Sequence, residues 1–220
     1  MEIINESSSS AAVKKPGMSA GGKLLIGVTG GIGIGLSVVC ASFVAPAFRK
    51  FCLPYVPATT EQIQNVLQFL PKNASGKLLD IGSGDGRIVV AAAKHVRSLK
   101  TDGVELNPWL VYYSRLAALR DGVSTQSRFF RRDLWKFSIK DYNYVVIFGV
   151  EQMMLDLEHK LIAECSHNAK IIACRFPLPH LQPERTIEDG VNTVWFYDLS
   201  KQSQAAAHRE TIKLGKLFEN

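Results

Sequence analysis

The chain has 220 residues, 46% of them apolar, which supports one α/β domain of about 140 residues with a sizeable core plus one appendage, and excludes two enzymes in tandem. A formal net charge of +6 and a pI near 9.2 suit an anionic membrane surface or nucleic acid, or reflect only a solvated basic face. The four cysteines, Cys40, Cys52, Cys165 and Cys174, form no C-x-x-C pair and no metal-ligand spacing, so scattered reduced thiols are expected and no metal site.

Residues 1–22 form a Ser-rich segment expected to be flexible. Residues 24–48 carry no charge and are bounded by Lys23 on one side and by Arg49 and Lys50 on the other. As a helix they would reach about 37 Å, enough to cross a bilayer, which predicts a transmembrane anchor over 23–48. Gly27, Gly31 and Gly35 recur at spacing four, either as a helix-pairing face or because glycine is common in membrane helices. The run 23–35 imitates the strand and glycine turn of short-chain dehydrogenases. The segment 36–48 that follows has no polar face and is interrupted by Pro46, and no acid stands at the ribose offset. A cleaved signal peptide fits poorly because the apolar stretch is too long and begins late; the acids Glu2 and Glu6, with no arginine before residue 49, disfavour a mitochondrial presequence.

A connector over 49–58 is stiffened by Pro54 and Pro57. Thr59-x-x-Gln62 has the spacing of a capping box, opening a helix whose apolar stripe is Ile63, Val66, Leu67 and Leu70 and which ends at Pro71.

Residues 77–81 predict a buried parallel strand and 88–95 an alanine-rich helix; between them stand Gly82, Ser83, Gly84, Asp85 and Gly86. Glycines without a Cβ allow positive φ and would let backbone amides press against a cofactor. Glu105 lies nineteen residues beyond Gly86, at the end of the next strand, where a carboxylate can accept from both hydroxyls of a ribose. A nicotinamide dinucleotide would seat its pyrophosphate on the helix N-terminus. Asp80 and Asp85 would repel that group and complement the sulfonium of S-adenosylmethionine (SAM). The bland alternative is an ordinary strand-to-helix turn in which glycine serves packing.

Onward, the periodicity predicts a helix over 109–120, strands over 127–130 and 142–148, a helix over 153–165, a strand over 169–176 and a final strand over 191–199. A sixth strand around 185–187 is short. The alternation implies a doubly wound α/β sheet, followed by a polar tail from 201 to 220. Ligands in such sheets bind beyond the strand carboxyl ends, which nominates Asp133 for the adenine (or as a helix cap), Phe148, Gly149 and Gln152 for the acceptor entrance, and Arg175 and Phe176 beside it. The turn Phe148-Gly149-Val150-Glu151-Gln152 lacks the Asp/Asn-Pro-Pro-aromatic pattern that grips bases, arguing against a nucleic-acid substrate. Asn107-Pro108-Trp109 echoes that pattern but follows the second strand, where it suits a ribose and adenine wall. Arg128, Arg131 and Arg132 cluster beside the third strand.

Beyond the cofactor loop, six blocks carry a resemblance: 49–60, 80–93, 105–115, Asp133-Leu134-Trp135-Lys136, 145–150 with Gln152-Met153-Met154, and 172–177 with Pro179-His180. Together they resemble the membrane-anchored mitochondrial protein-lysine N-methyltransferases of the class I, SAM-dependent type. That resemblance implies a Rossmann-like, seven-strand sheet over 59–200 with a reduced sixth strand, preceded by one transmembrane helix. SAM would be held by Asp80, Gly82, Ser83, Gly84, Asp85, Gly86, Glu105, Asn107 and Asp133, and no metal is involved. The implied substrate is a lysine of a small inner-membrane protein, the c subunit of ATP synthase or alternatively the adenine nucleotide translocase. The catalytic domain would face the matrix. No general base stands out, and Phe148 and Gln152 are the channel candidates. An idle methyltransferase-like binding module and a membrane-tethered lipid or small-molecule methyltransferase are the competing functions.

Overall fold

The computed structural model describes residues 19–44 and 55–202. The described residues fall into two compact units that divide after Cys40. The described part of the first is helix α1 (Ala20–Val44) up to Cys40. It begins ahead of the predicted span and includes Lys23, while the predicted residues 45–48, the larger part of the connector 49–58 with Cys52, segment 1–18 and tail 203–220 lie outside the described residues. Thr29 Oγ1 donates to the Leu25 carbonyl (2.8 Å) and Ser37 Oγ to that of Gly33 (2.9 Å), so these hydroxyls are satisfied by the helix itself. The window Ala20–Ala41 is long and apolar enough to cross a membrane, and none of it is buried.

The second unit is an α/β sandwich. Helix α2 (Thr60–Leu67) precedes β1 (Gly76–Ile81), followed by α3 (Arg87–His95), β2 (Leu99–Glu105), α4 (Pro108–Arg120), β3 (Ser127–Arg131), β4 (Tyr144–Phe148), α5 (Glu151–Glu164), β5 (Lys170–Cys174), β6 (Arg185–Ile187) and β7 (Val194–Asp198). The sheet order is β3-β2-β1-β4-β5-β7-β6, with β7 antiparallel to both neighbours and the first five strands parallel. The sixth strand is reduced to three residues, as expected.

Adjacent strand residues serve opposite faces because side chains alternate. Leu79, Val145 and Ile171 pack beneath Met153, Leu157 and Leu161 of α5, whereas Leu78, Val146 and Ile172 meet Val66 of α2 with Phe69 and Leu70 just beyond it, and Ile88 and Ala92 of α3. A smaller cluster joins Val89, Val90 and Ala93 to Val111, Ala118 and Phe129. Parallel strands are thus covered on both sides.

Three local expectations are corrected. Thr59 caps α2, accepting from the Gln62 amide at 3.1 Å, but the Gln62 side chain does not reach back; it is buried and its Nε2 points to the Val191 carbonyl at 3.5 Å. Strand β4 starts at Tyr144 because Tyr142 turns inward, donating its hydroxyl to Asp102 (2.9 Å). Arg128 forks onto that same buried Asp102 at 3.0 and 2.8 Å, so its charge is matched inside the fold and is withdrawn from the basic cluster.

Candidate active site

The strand order reverses at β1, whose two neighbours β2 and β4 continue in opposite directions, and the crevice at such a switch point is where open sheets take ligands. A cavity of about 600 Å³ opens there, within the range of small-molecule sites. Its walls include Asp80, Gly82, Ser83, Gly84 and Asp85 after β1, Glu105 and Asn107 after β2, Asp133 after β3, and Phe148 after β4. Arg175 and Phe176 after β5 also line it. Gly86 stands behind the wall as the left-handed cap of α3. Gln152 does not line the cavity; it is exposed on the first turn of α5.

The glycine turn works differently from the expectation that its amides press on a ligand. The amides of Gly82 and Ser83 both donate to the Val104 carbonyl (2.9 and 3.0 Å), that of Gly86 to the Ser83 carbonyl (2.8 Å), and that of Gly84 to Glu105 Oε2 (3.1 Å). The three glycines therefore contribute space, their amides being taken up within the fold. Glu105 is correspondingly busy: Oε1 accepts from the amides of Leu106 and Asn107, both at 2.7 Å. A carboxylate has about four acceptor positions, so only about one stays open for a ribose hydroxyl.

The two aspartates, expected to act alike as carboxylates facing the sulfonium, differ from each other. Burial alone would lift the Asp85 carboxyl, but the Arg87 guanidinium and the Tyr55 hydroxyl hold it below the usual carboxylate value. Arg87 clasps it with Nε at 2.9 and 3.0 Å and Nη2 at 2.6 Å, and donates from Nη1 to the Ala58 carbonyl at 2.7 Å. Asp85 also accepts from the Arg87 amide at the start of α3 (3.3 Å), occupying the position a pyrophosphate would need. Asp80 is the opposite case: burial, reinforced by Glu105 and Asp85, pushes its carboxyl up to about 8.

Two atoms test whether a polar ligand fits. Asp80 Oδ1 and Ser83 Oγ are buried without a hydrogen-bond partner, a costly arrangement that a ligand with polar groups at the turn would relieve. Asn107 caps α4 by accepting from the Trp109 amide (3.0 Å), and Asp133 likewise accepts from the Trp135 amide (3.1 Å), so the capping role weighed for Asp133 is present while the residue also lines the cavity.

The sequence reading missed several contributors. Tyr55 lies against the turn so closely that a Cβ on Gly84 would come within 2.8 Å of its ring; burial and the Asp85 charge push its hydroxyl up to about 12. Ser114 Oγ stands within reach of both the Gly84 and Leu110 carbonyls (3.1 and 2.7 Å) and can donate to one. Glu158, buried on α5, accepts from the amides of His180 and Leu181 (2.8 and 3.1 Å) and pairs with the His180 ring (2.8 Å), pinning the loop that follows Phe176. The motif Pro179-His180 carried a hint of that anchor; Ser114 carried none. Trp135, Leu110 and Arg132 complete the wall. Arg175 is the one described non-glycine residue with positive φ, 68°, and its guanidinium lies 5.8 Å from the centre of the Phe148 ring. Among the described residues no cluster of three metal-ligating side chains exists.

The chain matches the ANTKMT methyltransferase domain over residues 80–185, and the N-terminal domain of the ATP synthase c-subunit lysine N-methyltransferases over 17–49. It is 51% identical over 196 residues to the ATP synthase c-subunit lysine N-methyltransferase of Xenopus laevis, covering 89% of this chain and 85% of the relative. It is 41% identical over 180 residues to the adenine nucleotide translocase lysine N-methyltransferase of Mus musculus, covering 80% and 77%. Among solved structures, an RNA methyltransferase from Salinibacter ruber in complex with S-adenosyl-L-homocysteine superposes with a TM-score of 0.62 at 26% identity, over 66% of this chain and 94% of that one. The cofactor is accordingly SAM, and the chain belongs to the protein-lysine N-methyltransferase family that contains the ATP synthase c-subunit enzymes.

Proposed function

We propose that this chain methylates a lysine of the ATP synthase c subunit at the mitochondrial inner membrane, from a catalytic domain over 59–200 that faces the matrix and is anchored by the apolar span over 23–48, whose described part belongs to α1. The reading rests above all on one combination: a SAM-type cavity at the switch point of a chain that also carries an apolar helix of bilayer length. Anchoring enzyme and membrane-embedded substrate to one surface raises their effective concentration without added contacts.

SAM supplies a methyl group on a cationic sulfur. Glu105 is assigned to the ribose, Asn107 and Asp133 to the ribose and adenine wall, and Asp80 with Gly82, Ser83, Gly84, Asp85 and Gly86 to the methionine end, where the orphaned Asp80 and Ser83 atoms find partners. Phe148 forms the acceptor channel with Phe176, Tyr55 and Trp135. An apolar, aromatic channel disfavours the ammonium form of an entering lysine and so supplies the neutral amine that attack requires. Arg175 repels a residual ammonium and packs on Phe148. Gln152, outside the cavity, is assigned to the incoming protein. Positioning supplies the remaining acceleration. Nucleic acid is no substrate in this reading, and bilayer lipid is a partner.

Comparing inner-membrane proteins by mass spectrometry from cells with and without the enzyme tests this: the c subunit should lose its methyl-lysine. If the c subunit is unchanged and the adenine nucleotide translocase loses methylation, the second reading, favoured by the mouse relative, replaces it. At residue level, Phe148→Ala should abolish turnover with SAM binding retained; lost SAM binding would refute its channel role.

A further inference from the structure

Helix α4 buries one face and leaves the opposite one apolar. Val111, Ser114 and Ala118 are buried against α3 and the sheet. Trp109, Tyr112, Tyr113, Leu116 and Leu119, at the i, i+3, i+4, i+7, i+10 spacing that places residues on one face, are 40%, 62%, 52%, 64% and 65% exposed. Five adjacent large apolar side chains on one exposed helix face are far from the scattered single residues a soluble surface carries, and mark an interaction site.

We infer that this face lies in the interfacial layer of a lipid bilayer. Three observations favour lipid as occupant. The stripe combines one tryptophan and two tyrosines with leucines, the side chains that sit at headgroup depth. It is bordered by an exposed cation able to meet anionic headgroups, Arg115, whose guanidinium lies 5.9 Å from the Tyr112 ring centre and also donates from Nη2 to the Phe129 carbonyl (2.8 Å), while Arg120 at the helix end is paired with Asp121 (3.3 Å). Ten residues, 45–54, separate Val44 from Tyr55 in sequence, a reach of at most about 35 Å. The third point rests on the reading of α1 as a membrane anchor; the first two do not.

The position of α4 gives this contact a purpose. Its first residues adjoin the cavity, since Asn107 and Leu110 line the wall that Trp109 flanks. A bilayer contact along the stripe holds the cavity mouth at membrane level, within reach of a lysine at the edge of the hydrocarbon in a membrane-embedded substrate. The device would orient the domain, which a single point of attachment does not do.

The test uses the full chain reconstituted in vesicles of phosphatidylcholine and cardiolipin with lipids brominated near the headgroup. Flotation first reports whether the chain is anchored. Tryptophan emission should then be quenched, and Trp109→Phe should remove most of the quenching, while Trp135→Phe and Trp195→Phe should leave it. The pair Leu116→Glu, Leu119→Glu, at exposed positions outside the cavity, should reduce quenching several-fold, lower methylation of a membrane-embedded substrate about tenfold, and leave SAM binding unchanged. Chain that fails to float overturns the anchor reading. Chain that floats with no Trp109-dependent quenching overturns the lipid contact, as does α4 becoming protected from hydrogen exchange only when a protein substrate is added.

Discussion

Glu105 reaches from the end of β2 to accept the amide of Gly84 in the turn after β1, Oε2 to N 3.1 Å, while its other oxygen takes the Leu106 and Asn107 amides. The residue assigned to the ribose is therefore also the strut of the turn. Glu105→Gln keeps the shape but turns one acceptor into an NH2 that faces an N–H. A buried donor left unsatisfied costs about 1–3 kcal/mol, so SAM affinity should fall by roughly ten- to a hundredfold. Calorimetric titration, with thermal melts to follow the fold, checks this; undiminished affinity would remove Glu105 from the site.

Asp80 makes the empty site pH-sensitive. Its carboxyl titrates near 3.8 when unfolded and is pushed up to about 8 in the fold, by burial first and then by Glu105 and Asp85. The folded state holds the proton where the unfolded state has lost it, so this residue's contribution is complete below about pH 4 and is lost as pH rises toward 8. The melting temperature of the ligand-free protein should decline over that window, and Asp80→Asn should flatten the decline. A sulfonium offsets the buried anion, so stabilisation by SAM should grow with pH more than stabilisation by S-adenosylhomocysteine, whose sulfur is neutral. Parallel slopes for wild type and Asp80→Asn would contradict this.

How much of this was legible in the sequence divides along physical lines. The strand, turn and helix around Gly82 to Gly86 and the acid at 105 are local patterns, and the parallel sheet followed from alternation, so fold and cofactor class could be read. The charge state of the two aspartates could not: Asp85 is matched by Arg87 two residues on, a pairing that depends on the turn's folded shape, and burial in the fold raises Asp80. Arg128 looked like part of a basic face until the fold brought Asp102 beneath it. Ser114 and Glu158 act across long sequence separations; Ser114 left no local signal, and Glu158 was hinted at only through the Pro179-His180 pair it holds. In α4, spacing puts Tyr112, Tyr113, Leu116 and Leu119 on one face but does not say whether that face is buried, and the buried side is the small one, Val111, Ser114 and Ala118.

Two of the loop glycines separate folding from binding. At Gly86 (φ 79°) a Cβ would meet the Phe129 ring at 2.7 Å and the Ser114 side chain at 2.8 Å, whereas at Gly82 (φ 75°) the nearest atom, the Phe148 carbonyl oxygen, is 3.9 Å away. Left-handed backbone costs a non-glycine about 1–2 kcal/mol, and overpacking adds about 1–3 kcal/mol. Gly86→Ala should therefore lose about 2–5 kcal/mol in denaturant unfolding. Gly82→Ala should lose only about 1–2 kcal/mol yet suffer the larger drop in SAM affinity, because its methyl enters the cavity. Equal unfolding losses would show that the contacts at Gly86 relax.

Arg175 holds a left-handed backbone, φ 68°, that its residue type disfavours, at the end of β5 where its guanidinium faces Phe148. Strain kept at a cavity wall suggests that the side chain's position matters more than the local cost of about 1–3 kcal/mol. Two substitutions take the terms apart. Arg175→Ala removes the cation over the ring, worth about 0.5–1 kcal/mol, and keeps the strain. Arg175→Gly removes both, so it should unfold about 1 kcal/mol later than the alanine variant. If the guanidinium sets up the channel, both variants should lose methyl transfer to a similar extent, with SAM affinity close to wild type. A glycine variant that retains turnover would mean that the backbone bend, and not the cation, is what the channel requires.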